Sequence, residues 1–367
     1  MKLKRILKWT AIVILLALIV WGFTAYWTST NDCNAAAPNN PMKAVRYCEY
    51  GSPDVAKLKE VEKPVPNDNQ VLIKVRAASL NAFDVYVTRD SWLGRLIFGL
   101  RKPRDTRLGQ DVAGQVEATG KNVTQFKSGD EVFGISRGAL AEYACTPERA
   151  VVMKPPKLSF EQAASIPLAG LTALQGLREG KIHPGLKVLI NGATGGVGTF
   201  AVQIAKSLGA EVTAVCSTRN VDLVRSLGAD HVIDYTKEDF TKSDQRYDVI
   251  FDNVANHSFA ERRRVLNPKG ICVLAGIGGA GVGGGEALGR IAGNIFTARA
   301  RSSFTDQKFA QYRTKTSKDD LIMLANLIQT GKIKPVIERT YKLTDAPEAL
   351  RYLNEGHAKG KILITVE

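Results

Sequence analysis

Cysteine is scarce in this 367-residue chain, and the five present, Cys33, Cys48, Cys145, Cys216 and Cys272, contain no C-x-x-C pair. An odd number without paired spacing suggests neither a disulfide framework nor a zinc ribbon. Cys216 and Cys272 stand inside apolar runs and read as core thiols. Histidine is scarcer still: His183, His231, His257 and His357 are isolated, with none at the three-to-five-residue spacing that metal sites favour. A basic stripe interleaved with aromatics is also missing. The formal net charge is +14, yet Lys and Arg are scattered among acids along the whole chain. That distribution argues against a nucleic-acid face and suits a solvated surface or an anionic ligand such as a phosphorylated cofactor. A content of 44% hydrophobic and 23% charged residues is ordinary for a globular protein, and the length suggests two domains.

One long hydrophobic run does occur. After a basic stretch at 1–8 (Lys2, Lys4, Arg5, Lys8), residues 9–27 carry no charge. As a helix they would extend about 28 Å, close to the hydrocarbon thickness of a bilayer. Trp9, Trp21, Tyr26 and Trp27 near its ends match interfacial belts. The expectation is a single uncleaved membrane anchor, followed by a turn-rich tether at 28–41. A cleaved signal peptide is the competing reading, although the run is long for one and only AAA at 35–37 offers a late cleavage site. Topology is contested: the basic N-terminus puts the body outside by the positive-inside rule, whereas a nucleotide cofactor would keep it in the cytoplasm, which is the expectation retained.

From Met42 to about residue 157, short β-like runs (MKAVRY, QVLIKVRAASL, AGQVEATG, GDEVFGI, AEYACT) follow one another without helices, as in a mostly antiparallel, barrel-like domain. From 158 to 305, strand-like and helix-like segments alternate, the pattern of a doubly wound parallel sheet. Residues 306–367 return to the first domain, with helical KDDLIMLANLIQTG and APEALRYLNEGH and a final strand, GKILITVE. No repeat of fixed period is present.

Two glycine-rich runs compete for a nucleotide. The run at 276–285 fits G-x-G-x-x-G twice, but no apolar strand follows it at about twenty residues; it reads as a loop, with Gly276 near the strand end still able to approach a cofactor. The run Gly192, Ala193, Thr194, Gly195, Gly196, Val197, Gly198 follows the strand Val188–Ile190 and opens a segment with helical spacing (Val197, Phe200, Ala201, Ile204, Leu208). It leads to a second strand, Val212–Cys216. That second strand ends in Ser217, Thr218 and Arg219, with no acid for the ribose hydroxyls. A guanidinium there favours a 2′-phosphate and hence NADPH; the lesser alternative for Arg219 is an ordinary helix-start surface residue.

With these residues in view, the order of a β-rich domain, NGATGGVGTFAVQIAKSLGA, CSTRN, GADHVIDY and GKILI resembles the medium-chain dehydrogenase/reductase superfamily. The closer likeness is to its zinc-free, zeta-crystallin-like quinone oxidoreductase branch, over residues 42–367. The resemblance implies an α/β fold, a GroES-like catalytic domain plus a Rossmann NADP-binding domain, and dimerisation through the nucleotide domains. Where zinc-dependent members carry ligands, this chain has Asn81, Gln110 and Leu168, so the implied metal set is none. The resemblance further implies an NADPH-dependent reduction of a quinone or of the C=C of an α,β-unsaturated carbonyl. Asn81 and Tyr86 would be the catalytic pair, with Asp84 orienting their loop. Thr172 would flank the nicotinamide, Tyr235 would lie near the 2′-phosphate, and Asn253 would border the cofactor. An NADPH-binding scaffold with little catalysis is the alternative from another class, and an alcohol dehydrogenase a third. In the insertion at 88–107, Trp92, Leu93, Leu96, Ile97 and Phe98 would line a pocket, rest against a membrane or simply pack.

Overall fold

The structure is a computed structural model that describes Cys33, residues 36–275 and residues 306–366. Among the described residues no helix is long and apolar enough to cross a membrane. The run at 9–27, Gly276 and the glycine-rich run at 276–285 lie outside them.

One sheet has six parallel strands in the spatial order His231–Asp234, Glu211–Cys216, Lys187–Asn191, Tyr247–Asp252, Leu266–Leu274, Lys308–Gln311. Numbered along the chain this is 3-2-1-4-5-6, the order that leaves a crevice beyond the carboxyl end of the first strand, where the direction of winding reverses. The central strand is apolar without alternation because both its faces are covered: Val188, Leu189 and Ile190 are all fully buried. Helix Gly196–Ser207 packs on it through Phe200, Ala201 and Ile204, and helix Pro167–Glu179 lies beside that helix.

The second sheet gathers Ile337–Lys342, Lys361–Thr365, Gln70–Leu80, Asp111–Thr119, Glu131–Ile135 and Val151–Met153, with Tyr143–Pro147 also paired to Gln70–Leu80. Its pairings are antiparallel except the first. The last strand of the chain therefore closes onto residues 77–80 in the middle of the β-rich part. The late helices form at Lys318–Gln329 and Ala346–Asn354, in the segments whose periodicity called for them.

Two expectations are corrected. The β-rich part is not helix-free: Ala82–Thr88 and Trp92–Phe98 are short helices, so Tyr86 sits on a helical turn. Local propensity could not announce the first of these, because AFDVYVT is rich in β-branched and aromatic residues; contacts of Val85, Val87 and Thr88 with the core override it. And the cysteines do pair once, Cys33 with Cys48, closing a loop that no local spacing betrays. Cys216 and Cys272 are buried thiols, as expected.

Candidate active site

The turn after Lys187–Asn191 has the shape that its glycines require. Gly192 has φ +82°, and a Cβ there would meet Val254. At Gly198 an added Cβ would lie 2.1 Å from the Gly192 carbonyl oxygen, so only glycine lets the first turn of Gly196–Ser207 close over the loop. Gly195 caps that helix, whose free amides point into the crevice. Ala193 N–H donates to the Val215 carbonyl (3.1 Å), tying the turn to the second strand.

Asn220, which no sequence pattern singled out, joins the two ends of this cradle. It is buried, and its Nδ2 lies 3.4 Å from Thr194 Oγ1 and 3.3 Å from Ser217 Oγ. Its Oδ1 is buried without a hydrogen-bond partner among the described residues. Arg219 is exposed, with Nη2 3.3 Å from the His357 carbonyl. Tyr235 is exposed beside the same strand end, its N–H donating to the Cys216 carbonyl. Asn253 N–H donates to the Asn191 carbonyl, which sets it next to Gly192. Thr172 lies apart on Pro167–Glu179, where its hydroxyl shares a 2.9 Å bond with Thr314 and its carbonyl accepts from the Tyr312 hydroxyl.

The second cluster is centred on Asp111, fully buried. Its Oδ2 accepts from Ser79 Oγ (2.6 Å), Asn81 Nδ2 (2.9 Å) and Lys361 Nζ (3.0 Å), and its Oδ1 from the Leu168 N–H (2.7 Å). Lys361 Nζ also donates to Asn81 Oδ1 (2.7 Å), so the amide is oriented by a cation at one end and an anion at the other. One Asn81 N–H is used by Asp111, leaving the second to meet a ligand. Lys361 begins the last strand one residue after Gly360, whose N–H donates to the Thr194 carbonyl (2.8 Å). The Asn81 cluster is thereby fastened to the glycine turn.

Asp84 supports this from below. Its carboxylate accepts from the backbone N–H of Asn81 (2.8 Å) and of Gly109 (2.8 Å), fixing the start of the helix that carries Tyr86. Full burial pushes its carboxyl up to about 6. Tyr86 is half-buried, its hydroxyl pushed above the ordinary tyrosine range by burial, and its ring meets Phe98 edge-on at 6.1 Å. Asn81 and the glycine turn are thus brought together, whereas Tyr86 is held against the 92–98 helix. Missed from sequence were Lys361, Asp111, Ser79 and Asn220. The signal for the first two was there, a lone charge heading an apolar strand in GKILIT and in GQDVAG.

A glycine-turned 3-2-1-4-5-6 sheet joined to a β-rich lobe whose last strand seals their junction is the architecture of two-domain dinucleotide-dependent oxidoreductases. Comparison agrees. Residues 67–156 match the alcohol dehydrogenase GroES-like domain and residues 227–364 the zinc-binding dehydrogenase family. The chain is 37% identical to a trans-enoyl reductase of Aspergillus terreus over 323 residues, 82% of this chain and 87% of that one. It is 35% identical to 2-methylene-furan-3-one reductase of Solanum lycopersicum over 339 residues, 88% and 79% of the two. The quinone oxidoreductase structure from Coxiella burnetii overlays with a TM-score of 0.77 at 31% identity, covering 89% of this chain and 100% of that one. The chain belongs to the medium-chain dehydrogenase/reductase superfamily.

Proposed function

We propose that this protein is a zinc-independent, NADPH-dependent reductase of quinones or of the C=C of α,β-unsaturated carbonyls. The observation that carries it is the Lys361–Asn81–Asp111 cluster, fastened to the glycine turn through Gly360 and Thr194. The cradle fits a dinucleotide: glycines at 192 and 198 clear a path for a pyrophosphate, the helix from Gly196 offers its amides, and the orphan Asn220 Oδ1 can accept from a ribose hydroxyl. NADPH, when bound, supplies the hydride. Ser217, Arg219 and Tyr235 would receive the 2′-phosphate end, and Thr172 and Asn253 the nicotinamide side.

The chain's own contribution is to receive charge. An acceptor oxygen that gains electron density needs a fixed donor, and the spare N–H of Asn81 is one, polarised by the ammonium on its carbonyl oxygen. Tyr86, whose hydroxyl burial pushes above the ordinary tyrosine range, is the candidate proton donor to the reduced substrate. Zinc does not fit. Of the three positions where the family's zinc ligands stand, two carry amides and one an alkyl chain, and Asn81 Oδ1 is already bound by an ammonium group.

NADPH and NADH titrations of the full chain, followed by NADPH oxidation with a small quinone and with an enone, test this. Saturable NADPH binding with turnover that collapses in Asn81→Ala and Tyr86→Phe supports the reductase. Binding with no turnover on any acceptor supports the scaffold instead, and absence of binding refutes both. The apolar run at 9–27 we read as a membrane anchor and the protein as a homodimer through its nucleotide domains. NADPH supply sets the body on the cytoplasmic face. The Cys33–Cys48 bond and the basic N-terminus pull toward the oxidising side. A C-terminal reporter active only outside would overturn the cytoplasmic assignment.

A further inference from the structure

Eight large hydrophobic side chains are exposed among the described residues, and three of them, Trp92 (67%), Leu96 (45%) and Ile97 (57%), belong to the one short helix Trp92–Phe98. Trp92 and Leu96 are one helical turn apart, and Ile97 adjoins Leu96, so they form one patch. The stretch 89–107 around it carries six basic residues against two acidic, with Arg101 and Arg104 exposed. Exposed tryptophan and aliphatic side chains framed by cations are the composition of an element that lies in the headgroup layer of an anionic bilayer.

The same edge of the molecule is where the chain from the apolar run arrives. Cys33 is bonded to Cys48. Two residues on, the Tyr50 hydroxyl donates to the Gly99 carbonyl (2.8 Å) at the end of the helix, and Gly51 N–H donates to the Thr88 carbonyl (2.8 Å) before its start. Residue 27, the last of the apolar run, is six residues from Cys33 and so within about 20 Å of it along even a fully extended chain. On its inner side the helix presents Phe98 edge-on to Tyr86 (6.1 Å) and to Phe83 (6.0 Å). One aromatic layer therefore separates the exposed patch from the candidate catalytic tyrosine.

We infer that Trp92, Leu96 and Ile97 seat the enzyme on the bilayer that holds its N-terminus, so that the site opens toward the lipid and its acceptor is a membrane-dissolved quinone or lipid-derived enone. The acceptor clause rests on the reductase reading, and the seating on the proposed reading of 9–27 as an anchor.

The test uses the full chain in phosphatidylcholine–phosphatidylglycerol vesicles with or without brominated acyl chains. Subtracting Trp92→Phe from the wild type isolates the Trp92 emission from that of Trp9, Trp21 and Trp27. Quenching of that difference by the brominated lipid is expected, and an unquenched Trp92 overturns the seating. So does a Trp92 that is shielded but unquenched in a dimer abolished by W92S/L96S/I97S, which would assign the patch to a second copy. The same triple variant is expected to lose about tenfold in kcat/KM for a long-chain quinone in the vesicles while keeping its rate with a short water-soluble quinone. Equal loss on both overturns the acceptor clause. If no acceptor oxidises NADPH the reductase reading fails, and the quenching still reports on the surface.

Discussion

Replacing Lys361 by Met puts the central cluster to its sharpest test. The Lys361 side chain is 3% exposed and that of Asp111 not at all, and their Nζ and Oδ2 are 3.0 Å apart. Removing one partner of a buried pair leaves an uncompensated charge, at a cost of about 3–5 kcal/mol. Asp111 would keep Ser79 Oγ, Asn81 Nδ2 and the Leu168 N–H, which places the loss at the lower end, about 3 kcal/mol. For a domain of this size that is about 6–12 °C in Tm. Function should suffer separately: Asn81 Oδ1 loses the cation that orients it, and losing one transition-state donor costs about 100-fold or more in kcat. NADPH affinity should move far less, because Gly360 holds Thr194 through its backbone. Thermal unfolding by circular dichroism, NADPH titration and turnover of a small enone read the three effects. D111N/K361M, which removes both charges, should recover most of the stability. If K361M melts with the wild type, or the double variant is no better than the single one, the buried pair does not do what its geometry indicates.

Three further outcomes are expected. Asp84, pushed up to about 6 by burial, holds its proton in the folded state over a range where the unfolded chain has lost it. Stability should therefore fall as pH rises from about 4 to 6 and then level, by about 3 kcal/mol relative to Asp84→Asn; denaturant titrations at pH 4 and 7 with equal differences between the two proteins would refute this. Arg219→Glu should weaken NADPH by about 10- to 100-fold and NADH far less, by fluorescence titration, since a charge-assisted bond is worth about 1.5–3 kcal/mol; parallel weakening of both would remove the 2′-phosphate assignment. Gly198→Ala, whose Cβ would lie 2.1 Å from a backbone oxygen, should cost about 1–3 kcal/mol and abolish NADPH binding, while Gly195→Ala, with nothing closer than 4.0 Å, should fold normally; equal tolerance of both would show that the turn does not close as described.

The nucleotide half was legible in the chain because its signals are local. The unbroken apolar Val188–Ile190, the glycines after it and the helical spacing from Val197 all lie within one strand–turn–helix unit, and the structure builds that unit there. The final strand was legible as GKILITVE for the same reason. The helix Ala82–Thr88 was not, because its residues favour strands and only the surrounding core decides otherwise.

Sequence alone thus determined the two patterns of strand and helix, the strand–glycine turn–helix unit at 187–207, and the nicotinamide class of cofactor. Tertiary structure alone decided that residues 79, 81, 111 and 361 meet at one carboxylate, that Asn220 bridges the two ends of the cradle, and that Cys33 reaches Cys48. Periodicity records which face of an element is buried, but nothing in it records which distant element supplies the other side. That is settled by sheet register, here by the pairing of Ile362 with Leu80 and Asp111 with Ser79, which carries an ammonium and a carboxylate 250 residues apart into contact.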